Sequence, residues 1–163
     1  MQELYWRHFW QAYYIASPAA AWKNVEDYKT GLSEEDYAEE MPEDILTANT
    51  KNEIINIFIK QLQEEGYLHN HARMYLAAYI VHFRRIKWQA GAKWFLQNLI
   101  DAEIASNNLS FQWVASCFSN KPYIFNIDNI IKYFACVYEV NKGKNPELNY
   151  SYEQLTLQLF NNK

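Results

Sequence analysis

The sequence predicts an all-α fold, a multi-helix bundle, and three observations carry that prediction. Apolar residues recur at helical spacing in several separate stretches. No stretch sustains the two-residue alternation of a half-buried strand. Glycine and proline number only 4 each, and Pro18, Gly66 and Pro122 stand where helical patterns stop.

The elements follow in order. Residues 3–16 read as the first helix, with Leu4, Phe9, Tyr13 and Ile15 near helical spacing. Ser17-Pro18 should end it, because a residue before proline avoids helical dihedrals. Residues 24–50 are acidic and polar and contain Gly31 and Pro42, so a long loop with one or two short helices is expected. Ile54, Ile55, Phe58, Ile59 and Leu62 mark a helix over 51–65, with Gly66 as its C-cap. A helix over 70–85 presents Met74, Ala77, Ala78 and Val81. The next, over 89–103, presents Trp94, Phe95, Leu99 and Ile100. A short helix over 108–116 is broken at Lys121-Pro122. Residues 126–135 and 151–160 complete the set, the last capped by Ser151.

The 163 residues are one domain's worth, taken as 1–163, and half are hydrophobic, enough for a core. Aromatics make up 17%, material for core volume and for stacking against planar ligands. A net charge of -4 excludes a general polyanion binder. Yet the acids concentrate in the 24–50 segment, whereas 66–100 holds no acid and carries Arg73, Arg84, Arg85, Lys87 and Lys93. That stretch is either a local basic face or an ordinary solvated helix surface. Cys117 and Cys136 match no metal or redox spacing and read as reduced thiols, as expected of a cytoplasmic chain. The N-terminus lacks a leader pattern, and no apolar run is long enough for a membrane span.

Three clusters place polar residues among apolar ones: 68–74, 100–108 and 111–113. Arg73 sits among Ala and Met, and Asp101 follows Leu99-Ile100. Two such charges are tolerable inside only as a pair, and a guanidinium fork fits a carboxylate. The pair is either an interhelical salt bridge or part of a ligand site. His69-x-His71 has no further ligands at metal spacing, so no metal is expected. Neither a glycine-rich phosphate loop nor a G-x-S-x-G element is present.

At these clusters the sequence resembles the DNA photolyase/cryptochrome family. Gly66-Tyr67-Leu68-His69-Asn70-His71-Ala72-Arg73-Met74 is similar to the family's G-W-M-H-N-R-x-R-M. Trp88, Gly91, Phe95, Leu99, Asp101, Glu103, Asn107-Asn108 and Phe111-Gln112-Trp113 keep the order and intervals of the motif that follows. Glu3-Leu4-Tyr5-Trp6-Arg7-His8-Phe9 resembles the family's E-L-I-W-R-E-F helix. The resemblance implies an all-helical fold that cradles FAD, with Arg73, Asp101, Glu103, Asn107 and Asn70 at the cofactor. It implies a lesion pocket of Glu3, Asn70, Met74 and Trp113 for light-driven repair of UV-damaged DNA, with Trp88 as an electron-relay member. Trp6, His71, Arg84 and Arg85 are the expected DNA contacts. Phe111 replaces the relay tryptophan nearest the flavin, His71 replaces an arginine, and Glu103 stands where aspartate is usual. The family's antenna-binding α/β domain and its T-S-x-L-S phosphate grip have no counterpart in these residues. A separate chain supplying that half, or a homodimer, is therefore expected. The alternative is a non-catalytic interaction module or blue-light signalling protein that keeps the fold without the repair activity.

Overall fold

The computed structural model describes residues 2–160, the side chains of residues 2 and 3 excepted. The chain folds into helices α1 (Gln2–Ala16), α2 (Glu43–Leu46), α3 (Glu53–Glu65), α4 (Asn70–Ala78), α5 (Trp88–Asn98), α6 (Ile104–Ala115), α7 (Ile127–Phe134) and α8 (Tyr152–Phe160). Among the described residues the only extended pairing is a single parallel bridge between Ala38 and Ile86. None of the described helices is long and apolar enough to cross a membrane.

The core is built where the helical spacing placed it. Ile54, Ile55, Phe58, Ile59 and Leu62 of α3 are all buried against Tyr75, Leu76 and Tyr79. The sequence ends α3 because Gly66 takes a left-handed φ of 65°. The same glycine admits a neighbour: a Cβ there would lie 2.7 Å from Ile100 Cγ2, and its carbonyl accepts from the Ile100 amide at 3.0 Å. Helix α6 runs between α1 and α5. Trp10 of α1 meets Ala20, Ala105 and Leu109 in a second, smaller apolar cluster.

Three expected helix boundaries move. The helix expected over 70–85 leaves α geometry at Tyr79 and makes a π-turn through Phe83. Arg85 then adopts a left-handed φ of 48°. Such a φ costs about 1–2 kcal/mol for a residue with a Cβ. Its backbone is held there by the bridge: Ala38 N donates to Arg85 O, and Lys87 N donates to Ala38 O. The helix expected over 89–103 stops at Asn98, whose side-chain amide donates back to Trp94 O at 2.7 Å. Residues 99–103 are a loop, and Ile100, read as apolar-face, is 83% exposed. Glu103 starts α6 four residues earlier than expected. Its two carboxylate oxygens accept from the amides of Ala105 and Ser106, which makes it the N-cap.

The acidic segment is a loop with a short 3-10 turn at Glu34–Asp36 and α2, as its composition suggested. It lies over the basic stretch. Asp44 accepts from Arg84 at 2.7 and 3.1 Å, and Lys87 pairs with Glu39 at 2.9 Å. Ser151 caps α8 as expected, in a reciprocal exchange with Gln154.

Candidate functional site

Helices α1, α4, α5 and α6 and the 99–103 loop enclose a cavity of about 630 Å³. That volume lies within the range of small-molecule sites, about 300–1,000 Å³. A smaller hollow of about 380 Å³ opens beside α8. Its one carboxylate, Glu147, already accepts from Tyr79 Oη at 2.8 Å and from Asn52 Nδ2. The large cavity is the better candidate because Arg7, Arg73, Asp101, Glu103 and Asn107 all line it.

Arg73 reaches the cavity from the first turns of α4. Its Nε donates to Leu68 O at 2.7 Å and its Nη2 to Asp101 Oδ2 at 2.8 Å. The guanidinium also lies 5.2 Å from the Tyr67 ring centroid. These contacts clamp it at one edge and leave Nη1 for a cavity occupant. The charge pair expected from sequence therefore exists and both partners line the cavity, but it is not interior as expected: the Asp101 side chain is 49% exposed.

Glu103 and Asn107 come from the start of α6, one turn apart. Burial raises the Glu103 carboxyl, but the amides of Ser106 and Ala105, the Ser106 hydroxyl and the nearby Arg7 outweigh it. The group is held below the usual carboxylate range. Asn107 spends its amide hydrogens on Ala92 O at 3.0 Å and Asn108 Oδ1 at 2.9 Å. Its Oδ1 remains as the acceptor offered to the cavity. That orientation follows from two carbonyl partners that only an NH₂ group can satisfy.

The cavity lining is also aromatic and soft. Trp6 of α1 stacks on Trp10 with ring centroids 5.5 Å apart. Met74 and Asn70 of α4 and Trp113 of α6 face the same space. His71 lines it too, with its ring stacked on Tyr133 at 4.4 Å. The apolar floor is Phe95 and Phe111, in an edge-to-face pair at 4.9 Å. Gly91 permits that floor: a Cβ there would stand 2.8 Å from Phe111 Cε1 and 3.0 Å from Ile80 Cγ2. Gly91→Ala is expected to cost about 1–3 kcal/mol by overpacking. A thermal melt of the variant measures it, and an unchanged midpoint contradicts it.

Nine of the residues expected from sequence thus meet at one cavity: Trp6, Asn70, His71, Arg73 and Met74, then Asp101, Glu103, Asn107 and Trp113. Others stand apart. Trp88 is fully buried, and its indole N–H donates to Asn24 Oδ1 at 2.7 Å. Arg84 and Arg85, expected to contact DNA, do not line the cavity. Arg84 is held by Asp44, and Arg85 Nη2 approaches Leu159 O at 3.5 Å. The acidic segment draws this part of the basic stretch into intrachain pairs. The Glu3 side chain lies outside the described residues.

Arg7 is a cavity residue that the sequence reading did not single out. It lines the space beside Glu103 and makes no ion pair within 4 Å among the described residues. Its spacing was the available signal, since residues 6, 7 and 10 form one face of α1. Among the described residues no group of three or more His, Cys, Asp or Glu is placed to hold a metal ion.

The sequence matches the family described as the FAD binding domain of DNA photolyase over residues 1–138. It is 32% identical to a deoxyribodipyrimidine photo-lyase of Agrobacterium fabrum over 130 residues, 80% of this chain and 27% of that protein. It is also 32% identical to one of Synechococcus over 161 residues, 90% of this chain and 31% of that protein. The chain thus spans under a third of these curated relatives. The fold is similar to that of a bacterial class III photolyase from Agrobacterium tumefaciens, with a TM-score of 0.69 at 22% identity. That match covers 96% of this chain and 40% of the other. An archaeal photolyase from Sulfolobus tokodaii, solved with two FAD molecules, gives 0.67 at 24% identity, covering 82% of this chain and 31% of the other.

Proposed function

The chain belongs to the family of the FAD binding domain of DNA photolyase, and from that premise we propose that its cavity holds the flavin end of FAD in light-driven repair of DNA pyrimidine dimers. The observation that carries this reading is the convergence of Arg73, Asp101, Glu103 and Asn107 with Trp6, Met74 and Trp113 around one cavity.

The donor set fits a flavin. Asn107 Oδ1 accepts a hydrogen bond from a ring N–H. The Arg73 guanidinium, fixed by Asp101 and Leu68 O, stabilises negative charge that a ring gains on reduction. Phe95, Leu99 and Ala102 give the ring apolar contact. Bound FAD supplies the light-absorbing, electron-donating centre, and the protein supplies orientation and electrostatics. Trp6 and Trp113 supply stacking faces and Asn70 a hydrogen-bonding edge, the means by which flipped-out bases are read.

Among the described residues Arg7 is the cavity-lining arginine without an ion pair and so is offered to the cofactor's phosphates, and one charge is a modest grip. A further polypeptide supplying more donors is part of this proposal. The outer face of α1 supports it: Leu4, Tyr5, Phe9 and Ile15 are 59%, 71%, 47% and 78% exposed. Exposed apolar area of this kind marks interaction surfaces.

Titration of the purified protein with FAD, followed by flavin fluorescence quenching, tests the reading. Saturable quenching is expected; its absence, alone and with a candidate partner chain, refutes it. Arg7→Ala is expected to weaken FAD binding about tenfold or more, the loss of one charge-assisted hydrogen bond. The same variant should bind riboflavin, which has no phosphate, as the wild type does. An equal loss with both ligands would place Arg7 at the ring instead.

A further inference from the structure

The cavity's aromatic wall continues beyond the residues that match the family motif. His71, which lines the cavity, stacks on His69 with ring planes 12° apart and on Tyr133 with planes 15° apart. Tyr133 lies near the end of α7, twenty residues beyond the last motif residue, and is 46% exposed. The ammonium of Lys132 sits 5.3 Å from the Tyr133 ring centroid. The acid on the same helix, Asp128, is taken by Lys142 at 2.7 Å. The ladder therefore ends in a half-exposed tyrosine ring covered by a mobile-stemmed lysine that makes no ion pair among the described residues, so a base can take the place of the ammonium on the ring.

We infer that His69, His71 and Tyr133 form a stacking platform for the bases of single-stranded DNA next to the cavity. Every base has a π-face, so parallel aromatic rings beside a cation suit an unpaired strand without regard to sequence. A duplex keeps its bases stacked on one another and cannot present them to these rings. Tyr133 packs against His71, and His71 reaches the cavity, so a strand whose lesion enters the cavity has its neighbouring bases brought to this face. Lys132, freed from the Tyr133 ring, supplies a phosphate contact. The inference rests on the proposed repair function, which places nucleic acid at the cavity mouth, and it adds the residues that hold the flanking strand.

Fluorescence anisotropy with a labelled single-stranded oligonucleotide of about ten nucleotides tests it. Y133A is expected to weaken binding about tenfold. Y133F keeps the ring and should bind as the wild type does. K132A should lower the slope of log affinity against log salt by about one. FAD titration of the same variants should be unchanged. Circular dichroism melts establish that Y133A is folded, and Y133F carries the test if it is not, since a ring retained with binding lost contradicts stacking. Wild-type affinity in folded Y133A, or a duplex bound as tightly as the single strand, overturns the inference. Absent FAD uptake with intact, Tyr133-dependent strand binding would sink the flavin reading and leave this one standing.

Discussion

Gln112→Leu is expected to destabilise the protein by about 3 kcal/mol or more, because it strands buried backbone groups at a cost of about 1–3 kcal/mol each. Gln112 is fully buried on α6. Its Nε2 donates to Ala20 O and to Lys23 O, and its Oε1 accepts from Val25 N at 2.9 Å. One turn back, Asn108 Nδ2 donates to Ala21 O at 2.7 Å. These two side chains hold the segment after α1, where the single 3-10 turn at Pro18–Ala21 leaves the carbonyls of Ala20 and Ala21 to side-chain donors. Leucine matches the volume but offers no partner to either an amide or a carbonyl. At about 2–4 °C per kcal/mol for a chain of this size, the midpoint should fall by roughly 6–12 °C. Gln112→Glu discriminates the cause. It keeps the acceptor for Val25 but sets a carboxylate against the Ala20 and Lys23 carbonyls in a fully buried site, so at neutral pH it should melt below the leucine variant and recover in acid, where the protonated carboxyl can donate again. A leucine variant as stable as the wild type would show that water replaces the lost bonds.

That prediction separates two roles within one motif. In the sequence, Asn107, Asn108, Gln112 and Trp113 stood together as a signature. In the structure Asn107 and Trp113 face the cavity, while Asn108 and Gln112 face away and tie down backbone. Helical geometry allows this division, since residues one apart on a helix point about 100° apart. Spacing alone could not assign the faces, because half-buried Asn107 and fully buried Asn108 and Gln112 look alike as text.

The same limit explains what else the sequence left open. The helices with strong apolar spacing, such as α3, are where the pattern put them, because burial of that face is their main stabilisation. The boundaries that moved, at Tyr79 and Asn98, depend on partners far along the chain. Arg85 keeps its left-handed φ through Ala38, and Ile100 is held by Gly66. Likewise Arg84 reads as a free cation in a stretch without acids, yet Asp44, forty residues away, takes it in a two-bond pair. A long-range ion pair of this kind leaves no local trace. The Arg73–Asp101 pair was legible only because each charge stood among apolar residues, where an unpaired charge is costly.

Stability should fall as the pH drops below about 6.5, and His82 is the main cause. His82 lies in the π-turn after α4 and is 2% exposed. Its Nε2 donates to Val114 O at 2.8 Å, which makes Nδ1 the unprotonated nitrogen, and Nδ1 has no partner. Burial pushes the imidazole down from 6.5 to about 4, against the small upward pull of the Val114 carbonyl. The unfolded chain therefore takes up the proton first, and acid favours unfolding. The His82 contribution is whole above pH 6.5 and is lost as the pH falls from there toward 4. A shift of that size is on the order of 3 kcal/mol at its limit. Asp44 and Glu103, whose carboxylates are held below their usual range, continue the loss at lower pH in the same direction. His82→Gln isolates the effect. A glutamine Nε2 can still donate to Val114 O but does not titrate, so denaturant midpoints of the variant should be nearly flat between pH 6.5 and 4.5 where the wild type declines. Parallel slopes for the two proteins would assign the acid sensitivity to the carboxylates alone.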